Sequence, residues 1–114
     1  MISIGKIQPS EIMWAAPKLK KAFYKLRKAD PNLFKQIDSA LDEIEKNAFC
    51  SILLPKRLMP KKWEQYPNVW KYDLPKGWRL FYTVAPPDRP GKIVVLSIIL
   101  NWMSHKEYER LFKY

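Results

Sequence analysis

Val69-Trp70-Lys71-Tyr72-Asp73-Leu74-Pro75-Lys76-Gly77-Trp78-Arg79-Leu80-Phe81-Tyr82-Thr83-Val84-Ala85 is the stretch whose reading decides the fold. Two runs rich in aromatic and β-branched residues flank a Pro-Lys-Gly turn, the pattern of antiparallel strands joined by a compact hairpin. Side chains two apart in a strand share a face. Trp70, Tyr72 and Leu74 therefore point one way and Val69, Lys71 and Asp73 the other. In the second strand Trp78, Leu80, Tyr82 and Val84 share a face, opposite Arg79, Phe81 and Thr83.

Toward the C-terminus, Pro86-Pro87-Asp88-Arg89-Pro90-Gly91 reads as a longer turn. Residues 93–100 are apolar at nearly every position, as in a central strand covered on both sides. Strands over 69–74, 78–85 and 93–100 are thus expected to form an antiparallel meander. Ser104-His105-Lys106-Glu107 fits a capping box, and Met103 and Tyr108 have the spacing of a hydrophobic staple. A short helix from His105 to about Phe112 follows.

Toward the N-terminus, residues 49–68 are irregular, with Pro55, Pro60 and Pro67 and room for one helical turn around 61–65. Upstream, Leu33, Phe34, Ile37, Ala40, Leu41, Ile44 and Ala48 keep a helical period to about Asn47. Asp30-Pro31 supplies its start, an acceptor for free backbone N–H groups followed by a residue that needs none. A preceding helix carries Leu19, Ala22, Phe23 and Leu26 on one face after Pro17. The two read as an antiparallel pair with a very short turn. Ile2, Ile4 and Ile7 suggest a first strand, broken at Gln8-Pro9-Ser10, with helical spacing from Glu11. The expected architecture is α+β, a single domain over 1–114. An N-terminal strand and an antiparallel two-helix hairpin pack on an antiparallel β-sheet, closed by a short C-terminal helix.

The chain has 114 residues, 47% of them apolar, enough for one core. Lys and Arg number 21 against 11 Asp and Glu, a net charge of +10. Divided after Arg57, each half carries +5, so no basic tail stands apart from the fold. A polyanionic partner is expected, with solubility as the plainer explanation of the charge. Lys18, Lys20, Lys21, Lys25, Arg27 and Lys28 on the first helix read as a solvated face. Asp38, Asp42, Glu43 and Glu45 make the outer side of the second helix acidic.

Several classes drop out. One cysteine, Cys50, forms no internal disulfide, and with the single His105 it makes no metal cluster. Beside Phe49, Cys50 reads as core filler. Three glycines write no phosphate-cradling loop. No signal-peptide core is present, and no apolar run approaches the roughly 20 residues that cross a bilayer. A cytoplasmic chain without membrane, metal or cofactor is expected.

The remaining candidates are cationic and aromatic. Arg79, fixed in a strand, presents a guanidinium fork suited to phosphate, or equally pairs with Asp73 across the hairpin. His105 and Tyr108, three apart, share a helix face and suit proton exchange on a ribose, or are simply a first-turn residue and a staple. Lys56, Arg57, Lys61 and Lys62 form a backbone-tracking patch. Trp63, Tyr66 and Trp70 beside it either stack on bases or seal a core edge.

The element order, the segment Trp70 to Tyr82 and the end His105-Lys106-Glu107-Tyr108 together resemble the RelE/ParE superfamily of prokaryotic toxins from toxin–antitoxin systems. The hairpin is similar to that family's Gly-aromatic-Arg-hydrophobic-hydrophobic-Tyr strand, and the end to its His-x-x-Tyr. The resemblance implies a RelE-like fold and a metal-independent, cofactor-free endoribonuclease, an mRNA interferase that acts in some members on the ribosome. It also implies neutralisation by an antitoxin protein. Arg79, His105 and Tyr108 would be catalytic, and Lys56, Arg57, Lys61, Lys62, Lys71 and Lys106 would hold RNA. Asn101-Trp102-Met103-Ser104 departs from the arginine-rich segment many members carry there. The same superfamily includes gyrase-poisoning toxins, an alternative function, and a non-catalytic basic nucleic-acid-binding domain is a third.

Overall fold

Alternation and helical period build two apolar layers, one on each side of a single sheet. The computed structural model describes residues 7–91 and 94–112. Strands β1 (Ser10–Trp14), β2 (Ile52–Leu53), β3 (Trp70–Asp73), β4 (Arg79–Ala85) and β5 (Val95–Met103) lie in the order β1-β5-β4-β3-β2. Helices α1 (Pro17–Ala29) and α2 (Pro31–Lys46) cover one face, and α3 (His105–Leu111) packs on the other.

The faces of the hairpin fall as the alternation requires. Trp70, Tyr72, Leu74, Trp78, Leu80, Tyr82 and Val84 meet Phe23, Leu33, Ile37, Ala40, Leu41 and Ile44 of the helices. Val69 and Phe81 join Leu54, Trp63, Met103 and Phe112 in a second cluster beneath the connector and α3. A single residue links the helices: Asp30 donates its N–H to Leu26 O (2.9 Å) and accepts from Leu33 N–H (3.2 Å), with Pro31 at the first helical position. Ser104 and Glu107 form the capping box of α3, and Met103 and Tyr108 share the second cluster.

The N-terminal expectation needs correction. The strand anticipated at residues 2–7 falls almost wholly outside the described residues. Ser10 does not break a strand but begins one, and helical spacing starts at Pro17, not Glu11. Ser10, Ile12 and Trp14 alternate toward the helices, and β1 pairs parallel to β5, so the sheet is mixed, not antiparallel throughout. Ser10 tolerates burial because its hydroxyl donates to Ile44 O (2.7 Å) and accepts from Ser97 Oγ (2.9 Å). Ala22, assigned to the buried face, is exposed.

Strand β5 runs to Met103, beyond the expected end at residue 100. Its register against β4 shifts between Phe81, opposite Asn101, and Tyr82, opposite Ile99. Leu100 is the extra residue of a bulge, which reverses the facing of everything after it. Ile99 and Trp102 pack toward the helices while Leu100 and Met103 pack with the second cluster. The expected cover on both sides of β5 is partial, since Ile98, Leu100 and Asn101 are only half-buried. Cys50 lies exposed after α2 rather than in the core; burial nonetheless pushes its thiol pKa up.

Tyr82 ties the sheet to the end of α2. It is fully buried, its hydroxyl donates to Ala48 O at 2.8 Å, and Ser51 Oγ lies 2.7 Å away as donor to it. Burial raises the phenol pKa well above the ordinary 10.0, and the Ser51 hydrogen bond offsets part of that rise. A raised pKa means that the unfolded chain loses this proton first. Stability contributed by the neutral phenol is therefore complete below pH 10.0 and falls as pH rises beyond it. Tyr82→Phe is expected to cost about 1–2 kcal/mol at neutral pH, by orphaning the Ala48 carbonyl, and to flatten the alkaline loss. Denaturant titrations of both proteins at neutral and alkaline pH measure the two effects.

Candidate functional site

The site is built where the Pro75 to Gly77 turn meets the start of α3. Lys76 (φ 61°) and Gly77 (φ 81°) both take left-handed backbone there, which brings the chain back sharply into β4. A Cβ on Gly77 would sit 3.1 Å from His105 Cβ. Glycine at 77 thus lets the first turn of α3 close onto the hairpin.

Arg79 is the residue this closure confines. Its guanidinium carbon lies 4.5 Å from the centre of the Tyr108 ring, and Nη1 donates to Gly77 O. Nε is buried and has no hydrogen-bond partner, with Asp73 Oδ1 at 3.9 Å, beyond hydrogen-bond reach. Asp73 instead binds Lys71 Nζ at 3.0 Å. The carboxylate is half exposed, while the Lys71 and Arg79 side chains are about five-sixths covered. One acid between two cations leaves the group positive. The expected pairing of Arg79 with Asp73 is therefore a weak one, and Nε is left without a hydrogen-bond partner.

Tyr108 supplies the platform. Its ring stacks on Phe112 (4.5 Å between centroids) and lies nearly parallel to Phe81 (6.1 Å). Lys71 Nζ stands 5.6 Å from the same ring centre. An aromatic face stabilises such cations by about 0.5–2 kcal/mol and holds them in place. His105 Nε2 contacts Glu109 Oε2 at 3.1 Å, one helical turn on. Glu109 is the member that sequence reasoning passed over, although the i,i+4 spacing from His105 was available. The carboxylate orients the ring.

Of the expected RNA-binding residues, only Lys71 joins this group. Lys106 is exposed on α3. Lys56 and Arg57 project from one 3-10 turn, Lys56–Leu58, and Lys61 and Lys62 from a second, Lys61–Trp63. Lys62 lines a cleft with Asn101 and Arg110. The aromatics do not form a base-stacking row. Trp63 is buried against Phe81 and Phe112, Tyr66 packs on the same cluster, and Trp70 lies on the opposite, helix-facing side against Phe49. Val69 and Trp70 diverge because alternate strand residues must. Among the described residues, no group of three or more His, Cys, Asp or Glu side chains is placed to hold a metal ion. Among the same residues, no helix is long and apolar enough to cross a membrane.

The arrangement predicts a division between packing and charge. Tyr108→Phe keeps the stacked ring and is expected to melt within about 1 kcal/mol of the parent, whereas Tyr108→Ala removes it at a cost of about 2–4 kcal/mol. Gly77→Ala, by strained backbone and by pushing His105 away, is expected to cost about 1–3 kcal/mol. Thermal and denaturant unfolding of the three variants checks the order. Comparison of the chain with family models, curated proteins and solved structures finds no match to any of them.

Proposed function

We propose that this chain is an endoribonuclease that cuts messenger RNA and is held in check by a partner protein of the antitoxin kind. The observation that carries the reading is the under-used guanidinium of Arg79 over Tyr108, with His105 packed against the same turn. Arginine with free donors on a rigid strand is suited to a phosphodiester whose charge grows during reaction. The chain's net charge of +10 favours the same polyanion.

Cleavage by these groups begins when a base takes the proton from a ribose 2′-OH. The freed 2′-oxygen attacks the adjacent phosphorus, giving a five-coordinate phosphorane with added negative charge. The bond from phosphorus to the 5′-oxygen then breaks, and that oxygen takes up a proton. The products are a 2′,3′-cyclic phosphate and a 5′-hydroxyl, with no co-reactant consumed. His105, with Nε2 held by Glu109, exchanges a proton through its other ring nitrogen. Arg79 and Lys71 bear on the phosphorane charge. Tyr108 acts chiefly as a positioning residue, by fixing both cations over its face.

The test is messenger RNA incubated with purified protein, alone and with ribosomes, with the product ends analysed. Wild-type protein is expected to yield cyclic-phosphate ends. Arg79→Ala is expected to slow cleavage by about 10²–10³-fold, the usual cost of one oxyanion-type donor, and His105→Ala by about 10²–10⁴-fold. Growth arrest on expression should vanish with both. Arrest that survives both substitutions, or intact RNA with inhibited gyrase supercoiling, overturns the reading.

A further inference from the structure

Two clefts meet beside the site already described, on the other side of α3. One lies between β5 and α3, about 310 Å³ in volume, with Met103 in its floor and Arg110 on its wall. The other, about 540 Å³, lies between Leu100 and the start of α1, where Lys18 stands. Lys62 and Asn101 line both, so the two form one groove. Volumes of this order accommodate small organic groups.

Three features of the groove point to one kind of occupant. Lys18, Lys62 and Arg110 succeed one another along it, and none is ion-paired among the described residues. Glu107, the acid on the wall, is already engaged by the backbone N–H and hydroxyl of Ser104. The floor, Leu100 and Met103, is apolar. Asn101 stands at the junction with its Oδ1 taken by the Trp102 N–H at 2.9 Å, which leaves the two N–H donors of Nδ2 for a ligand. The bulge at Leu100 is what turns Asn101 and Met103 to this face.

We infer that the groove receives the nucleotide next to the scissile one, its phosphates against the three cations and its base over Leu100 and Met103. Asn101 Nδ2 donates to an acceptor on the base edge, so this residue sets sequence preference. The inference rests on the endoribonuclease reading above and deepens it by assigning a specificity subsite. Met103 pairs in register with Arg79, which puts the groove floor directly beside the reacting centre. Phosphate contacts fix position and base-edge contacts carry sequence, so the two kinds of residue separate experimentally.

Short labelled single-stranded RNAs differing at one position are bound to the full-length chain across a salt series. Lys62→Ala and Arg110→Ala are expected to weaken every RNA alike and to lower the slope of log affinity against log salt by about 0.7 each. Asn101→Ala is expected to leave that slope unchanged and to reduce the discrimination between bases by about tenfold, within the span of one base contact. Thermal melting confirms that these surface variants remain folded. Arg79→Ala serves as the separating control, expected to slow cleavage by about 10²–10³-fold while retaining the base preference. If all three groove variants bind and discriminate as wild type while Arg79→Ala slows cleavage, the groove assignment falls and the nuclease reading stands. If the groove variants behave as expected but wild type cuts no RNA, the nuclease reading falls and the groove remains an RNA site. A groove filled by protein instead would give wild-type RNA binding in every variant, which overturns it.

Discussion

Strand β4 is covered by apolar side chains on both faces, and its neighbours have to deliver two layers from one short chain. Leu80 and Tyr82 look into the helix pair while Phe81 looks into the connector and α3, all three essentially inaccessible to water. Burying such side chains contributes about 1.5–3 kcal/mol each. A second layer therefore requires something to lie over Phe81, and the C-terminal helix with Trp63 does so. The proline-rich connector, which looks like a loop, is a lid for Phe81 that has little room for regular structure. Its two 3-10 turns each begin after a proline, at Pro55 and Pro60, and the second buries Trp63 after the exposed Lys61 and Lys62.

The same constraint generates the site. Arg79 shares its face with Phe81, so covering Phe81 with Tyr108 and Phe112 also brings an aromatic ring over the guanidinium. A charge taken partly out of water strengthens its interaction with whatever anion approaches, because the local dielectric falls. It remains tolerable because Asp73 lies near. Had Asp73 come within hydrogen-bond reach, the arginine would be spent. Lys71 prevents this by holding the carboxylate at 3.0 Å.

What was legible in the sequence was local. The Asp30-Pro31 junction, the alternation from Trp70 to Val84 and the Ser104 capping box each depend on residues a few positions apart, and the structure follows them. Strand β1 was not legible, because its partner β5 lies more than eighty residues away and its short stretch carries buried Ser10 and exposed Met13. Nor was the bulge, since an unpaired residue is a property of two strands and not of one. That shift re-aims Asn101, Trp102 and Met103, the three residues whose facing strict alternation would invert. At the site, Arg79, His105 and Tyr108 were legible as residue types, but their convergence depends on Gly77 allowing α3 to close. Lys56, Arg57, Lys61 and Lys62 of the connector were read as one patch, whereas they project from two separate turns and Lys62 lines the groove on the other side of α3.

The net charge acquires direction from this layout. On α2 the acids Asp38, Asp42 and Glu45 are exposed on the helix layer, on the opposite side of the sheet from α3. On the second face, three acids are occupied, Asp73 by Lys71, Glu107 by Ser104 and Glu109 by His105, while Glu64 is exposed on the connector. The acids of α2 are thus confined to one side of the helix layer, whose other helix, α1, is basic, and the charge of the molecule is uneven within that layer as well as across the sheet. Met103, which lines the groove, pairs in register with Arg79 on the neighbouring strand, so the two positions lie on the same face of the sheet. The bulge and the glycine turn matter for the same reason. Each alters the backbone at one point, and together they turn an apolar sheet face into one edged by unspent donors.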